Sequence, residues 1–145
     1  TGKSHVAKAI AYPAIRSGLK VVFTEAEDLF RDIALALPAD RTLRLKPALD
    51  ADLLVIDDLF LARTMSQDAA DALQSLLHQR YKLRRSCLLT SNRIIVDWAT
   101  YLGDAAMATT ILDRLMHRSV LVEFHGKSYR LKQAAARIAK NDSSN

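Results

Sequence analysis

The chain has 145 residues, half of them hydrophobic and 26% charged, with four glycines, three prolines and a formal net charge of +5. That length suits one ordinary domain, and the balance excludes a disordered or fibrous chain. No apolar run reaches the roughly 18 residues that a membrane helix needs, and the opening residues carry no charged-then-apolar pattern, so a cytoplasmic address with no membrane partner is expected. The single cysteine, Cys87, permits no internal disulfide and has no CxxC or Cys/His cluster around it. Within the apolar CLL it reads as a small buried side chain.

From Ser4 to about Ser17 the apolar positions Val6, Ala9, Ile10 and Ala14 recur at helical spacing, and Gly18 supplies a stop. Pro13 lies inside this helix, removes a backbone donor and crowds the preceding turn, so a kink is expected there. LKVVFT, residues 19–24, reads as a short strand. Thr24 and Glu27 have the spacing of a capping box ahead of the amphipathic EDLFRDIALAL, a helix that should end before Pro38. Residues 38–52, with two prolines and several charges, read as a connector or a short helix.

An apolar run from Asp52 to Ile56 follows and ends in two carboxylates, Asp57 and Asp58, the pattern of a central parallel strand covered on both faces. Helical periodicity returns over 66–83 through Ala70, Leu73, Leu76, Leu77 and Tyr81, followed by the basic KLRR. CLLTSN, residues 87–92, is a second buried strand with polar residues at its end. VDWATYLGD and AAMATTILDRLMHR read as two helices divided at Gly103 and Asp104, and SVLVEF, residues 119–124, as a final strand. QAAARIAK extends a helix, and NDSSN is a frayed end.

Alternating strands and helices predict an α/β sheet with right-handed crossovers, in which function collects at the carboxyl ends of the strands. The pairs Asp57/Asp58 and Ser91/Asn92 each stand just past an apolar run. Charge is uneven along the chain: residues 1–60 hold 8 basic and 9 acidic side chains, residues 61–145 hold 13 and 7. A basic second half suits an anionic partner, nucleic acid first, with a merely solvated basic surface as the plain alternative.

Four constellations carry chemistry. Thr1 to Ser4, TGKS, matches the closing half of the phosphate-binding loop G-x-x-x-x-G-K-[ST]. At a helix start the free N–H groups favour a phosphate, Lys3 adds positive charge and the Ser4 hydroxyl is of the size and type to reach Mg²⁺. The Asp57/Asp58 pair at the end of a buried strand is costly without a cation. Asp57 could hold the metal through water and Asp58 could orient the attacking water, the alternative being a solvated turn. Asn92 could hydrogen-bond both a γ-phosphate and a water, or Ser91-Asn92 could cap the next helix. Arg114 and Arg130 could stabilise transition-state charge, although spacing alone favours surface ion pairs such as Arg114 with Asp113 or Arg118 with Glu123.

With these elements in order, the chain resembles the IstB-like branch of the AAA+ ATPases, the transposition helpers of insertion sequences, a branch related to the DnaC helicase loader. TGKSH, ADLLVIDDL, LLTSN and the distal LDRLMHRS with VLVEFHGKSYRLK carry the resemblance, which runs from Thr1 to about Lys132. It implies a P-loop NTPase sandwich of α/β/α type, lacking here its first strand and half of the P-loop, with an ATPase core over residues 1–133. Residues 134–145 would form a tail, helical and then disordered. It implies Gly2, Lys3, Ser4 and His5 as the Walker A end, with Ser4 and Asp57 toward the metal. Asp57 and Asp58 become Walker B, Asn92 sensor 1, Arg114 the arginine finger and Arg130 a sensor 2-like arginine. ATP and Mg²⁺ are the implied cofactors, and double-stranded DNA, further copies of the chain and a transposase the implied partners. In a loader the last would be a replicative helicase, and a DNA-binding module indifferent to nucleotide is a rival of another class. Asp58 stands where many AAA+ proteins carry Glu, and Pro13 where the family usually carries a small helix former.

Overall fold

The computed structural model describes residues 2–61, 65–126 and 128–142, with side chains described as far as Ala139. Its centre is a parallel sheet of three strands in the order β1 (Val21–Glu25), β2 (Leu53–Leu59) and β3 (Ser86–Ser91). Helix α1 (Lys3–Arg16) precedes β1, α2 (Ala26–Leu35) and α3 (Arg41–Asp50) separate β1 from β2, and α4 (Gln67–Lys82) separates β2 from β3. After β3 come α5 (Trp98–Leu102), α6 (Ala105–His117) and α7 (Tyr129–Asp142).

Strand β2 is apolar on both faces because helices cover both. Leu54 and Ile56, fully buried, join the main core with Phe30 and Ile33 of α2, Leu73 and Leu76 of α4 and Ile111 of α6. Leu53 and Val55 point the other way, onto Ala7 and Ala11 of α1. Each such aliphatic side chain contributes about 1.5–3 kcal/mol by leaving water. Small residues on α1 let the helix lie close to the sheet. The short turn Ser17–Lys20 sets the carboxyl end of α1 beside the start of β1, so its first turn is directed toward the end where the strands finish.

Strand β2 runs three residues further than the apolar run suggests, because Asp57 still pairs with Glu25 of β1 and Leu59 with Ser91 of β3. The register steps from Ile56 opposite Leu89 to Leu59 opposite Ser91, three residues against two, which is a bulge. Helix α1 continues past Pro13 to Arg16. The segment after Pro38 resolves into a short 3-10 turn, Pro38–Asp40, and α3. Two expectations fail. The capping box does not form: Glu25 is the N-cap of α2 without a side-chain bond, and Thr24 Oγ1 donates to the Glu25 carbonyl instead. Residues 119–124 form no strand; Val120, Leu121 and Val122 are exposed, and an apolar, β-branched run gains nothing as a strand until a neighbouring strand accepts its hydrogen bonds. The division at Gly103 and Asp104 is real, with Gly103 at φ 74 ending α5 and the Asp104 carboxylate accepting from Met107 N at 3.0 Å to cap α6. Helix α7 is continuous from Tyr129, and every described side chain on it is exposed.

Candidate functional site

Gly2 begins α1 in the left-handed region, φ 88, and its carbonyl accepts from Val6 N at 3.0 Å. No side chain caps the helix, so its leading N–H groups face outward, as an anion requires. Lys3 and Ser4 are half-buried on this first turn, and His5 is exposed. Thr1 and Lys127, both within the quoted motifs, lie outside the described residues, as do the last three residues of the expected frayed end.

Asp57 is 5% exposed and lies near the carboxyl end of β2, between the fully buried Ile56 and the half-buried Asp58. The Thr90 hydroxyl of β3 donates to Asp57 Oδ1 at 2.5 Å and accepts from Asp58 N at 2.9 Å, so one hydroxyl ties both acidic residues to the adjacent strand. Among the described residues no cation forms an ion pair with Asp57. Sequence reasoning missed Thr90; its only signal is a threonine where the apolar run of β3 meets Ser91 and Asn92. Asp58 has φ 56 and Phe60 φ 63, left-handed conformations that cost a side-chain-bearing residue roughly 1–2 kcal/mol each. Buried packing against Trp98 and Tyr101 holds Phe60 in place. The twist turns Asp58 off the ladder to border a cavity of about 270 Å³ with Phe30, Arg31 and Phe60.

Asn92 is exposed on the bend directly after β3. It caps nothing. Ser91 Oγ instead donates to the Leu59 carbonyl at 2.8 Å and accepts from Arg93 N at 3.0 Å, closing the bulge, and the following 3-10 turn starts from Ile94. Arg114 stands elsewhere, half-buried between α6 and α4 beside Asp71, Gln74, Ser75 and His78. Burial lowers the His78 pKa, and the charges of Arg114 and Lys82 lower it further. The surface ion pairs weighed for these arginines do not form: Glu123 pairs with His125 at 3.3 Å, and Arg118 lies over the Tyr81 ring. Arg130 is exposed on the first turn of α7.

The opposite end of the sheet holds a second buried charge that no motif announced. Arg80 is fully buried and donates to the carbonyls of Ala48 and Ala51 at 2.8 Å, Leu49 at 3.0 Å and Ser86 at 2.6 Å. Its Nε reaches Cys87 Sγ at 3.1 Å. Burial raises the Cys87 pKa, with Arg80 opposing, and the side chain is half-buried against the core where the sequence suggested full burial.

Comparison with known proteins places this arrangement. Residues 1–137 match the family described as IstB-like ATP binding protein. An insertion sequence IS21 ATP-binding protein of Pseudomonas aeruginosa is 35% identical over 133 residues, 91% of this chain and 49% of its own length. An insertion sequence ATP-binding protein of Sinorhizobium fredii is 36% identical over 137 residues, 92% of this chain and 44% of its own. The chain thus spans about half the length of the curated relatives it matches. Among solved structures, the replication initiator DnaA bound to AMPPCP and single-stranded DNA superposes with a TM-score of 0.72 at 20% identity, over 88% of this chain and 38% of that one. The DnaC helicase loader superposes at 0.61 and 24% identity, over 78% and 68%. These two likenesses show the fold, a parallel α/β sheet covered by helices, as in DnaA and DnaC. The chain belongs to the IstB-like ATP-binding family.

Proposed function

We propose that this chain is the ATP-binding and ATP-hydrolysing core of a DNA-transposition helper, which assembles on duplex DNA with further copies of itself and cooperates with a transposase. The observation that carries the reading is the buried carboxylate of Asp57, near the carboxyl end of the central strand, whose one side-chain partner among the described residues is the Thr90 hydroxyl, in a family named for binding ATP. A buried anion so thinly compensated is suited to a cation. Ser4 and Asp57 offer only oxygen donors, the set that Mg²⁺ prefers. When bound, the metal would neutralise charge on the β- and γ-phosphates.

In this reading the first-turn N–H groups of α1, with Gly2 and His5 beside them, bind phosphate, and Lys3 adds the positive charge. Asp58 orients the attacking water, its carboxylate turned off the ladder by the left-handed backbone. Asn92 reads the γ-phosphate, Arg130 approaches the nucleotide from its own chain, and Arg114 serves a neighbouring copy. The core covers residues 1–133, with residues 134–145 as a tail that begins within α7.

The test is Lys3→Ala in the protein as its gene encodes it. ATP-dependent assembly on duplex DNA should be lost, and assembly at the parental level would refute the reading. Salt-dependent DNA binding with no response to ATP would favour a plain DNA-binding module. Recovery of a replicative helicase in place of a transposase would favour a loader.

A further inference from the structure

Because the strands are parallel, all three begin at one edge, where Val21, Leu53 and Ser86 are register partners. That edge lies opposite Asp57 and Asn92. The turns and helix ends feeding it carry Arg16, Lys20, Lys46, Lys82, Arg84 and Arg85. Only Asp50 and Asp52 oppose them on the same turns, so +4 of the chain's net +5 gathers here. The acids are also occupied: Asp50 takes Lys46 at 2.7 Å and Arg85 at 3.6 Å, and Asp52 accepts from the backbone N of Lys20 at 2.7 Å. Half of these cations precede residue 60, so the patch is a product of folding, invisible in the charge count by halves.

Arg84 supplies an independent observation. It has φ 54, just past the end of α4, where Arg84 N donates to the Tyr81 carbonyl and Arg85 N to that of Arg80. Glycine is the usual residue for this exit, and the chain uses it after α1, at Gly18 with φ 88, and after α5, at Gly103 with φ 74. After α4 an arginine stands in the strained conformation. Its exposed side chain makes no hydrogen bond, ion pair or ring contact with a described residue. Strain without an internal return points to a ligand outside the molecule.

We propose that this basic edge, with Arg84 at its tip, is a contact surface for the phosphate backbone of double-stranded nucleic acid, on the side of the sheet opposite the nucleotide. The inference rests on the reading that the protein works on DNA and names the face that does so. Neighbouring strands lie about 4.8 Å apart, so the three turns hold their cations on a rigid front roughly 10 Å wide, to which long side chains add reach along several phosphates. Such contacts position the duplex and read no sequence.

The experiment measures duplex binding of the whole protein by fluorescence anisotropy across a salt series, with ATP present. Arg84→Gly suits the backbone conformation, so it should keep the parental melting temperature and ATP affinity. It should weaken binding roughly 3- to 10-fold for unrelated duplexes alike and flatten the salt slope by about one unit. Lys20→Gln and Lys82→Gln added to it should deepen both effects. A triple variant that binds duplex with parental affinity and slope overturns the proposal while leaving the wider function standing. A parental protein that binds no duplex at all overturns both. Loss of binding to phosphatidylserine vesicles with duplex binding intact also overturns the proposal, in favour of a membrane surface.

Discussion

The two ends of the central sheet each bury a charge and treat it in opposite ways. At the amino end Arg80 is enclosed by backbone carbonyls from α3, the approach to β2 and the start of β3, and its donors are spent inside the molecule. At the carboxyl end Asp57 receives one hydroxyl, beside a backbone bent into costly conformations at Asp58 and Phe60. The first end is finished as a piece of architecture, whereas the second is left chemically incomplete. Stability is concentrated where a buried charge is enclosed by many partners, and the proposed chemistry lies where the buried charge is held by few.

That contrast can be broken most forcefully at Arg80. Arg80→Met should remove the donors of several buried carbonyls and cost about 3–5 kcal/mol in urea denaturation. A loss below 1 kcal/mol would show that the amino end is not the anchor described. Thr90→Val probes the other end: it should cost about 1–3 kcal/mol and weaken Mg²⁺-dependent ATP binding, while Thr90→Ser retains both. Equal behaviour of the two variants in calorimetric titration would remove the hydroxyl from the account. Asp58→Gly should keep stability within about 1 kcal/mol of the parent, since relief of left-handed strain offsets the freedom glycine gains on unfolding. The same variant should lose hydrolysis, as read by phosphate release, and retained turnover would argue against the role given to Asp58.

The smallest expected effect lies between the ends, at His78. Its folded pKa is lowered by burial, and then by Arg114 and Lys82, so the unfolded chain binds the proton more readily. Stability should therefore fall as pH drops from the ordinary histidine value near 6.5 toward the lower folded one, and the full penalty is present below both. His78→Gln should flatten that part of the stability curve, which melting temperatures between about pH 7 and pH 5 would reveal.

Much of the carboxyl end was legible beforehand because its residues are consecutive: TGKS, the aspartate pair and TSN each announce themselves within a few positions. The bulge that links Asp57, Asp58 and Thr90 was not, since register is a relation between strands and no single segment contains it. Arg80 was hidden for a similar reason, because its partners are carbonyls, which every residue has. The final strand was misread from composition: SVLVEF is apolar and β-branched, but a strand also needs a neighbour to pair with, and no short segment reveals one. The helices were read best where an exit or cap is local, as at Gly103 and Asp104, and worst at Thr24, whose hydroxyl took a nearer carbonyl.

One hydroxyl touching both acidic residues has a practical consequence for dissecting the site. Removing the carboxylate of Asp57 frees Thr90 to rotate, which alters the support of the Asp58 amide, and displacing that amide disturbs the proton shared with Asp57. Single substitutions will therefore each report on the trio, and their free energies will not sum. Only a double-mutant cycle can apportion the proposed metal holding and water activation between the two acids.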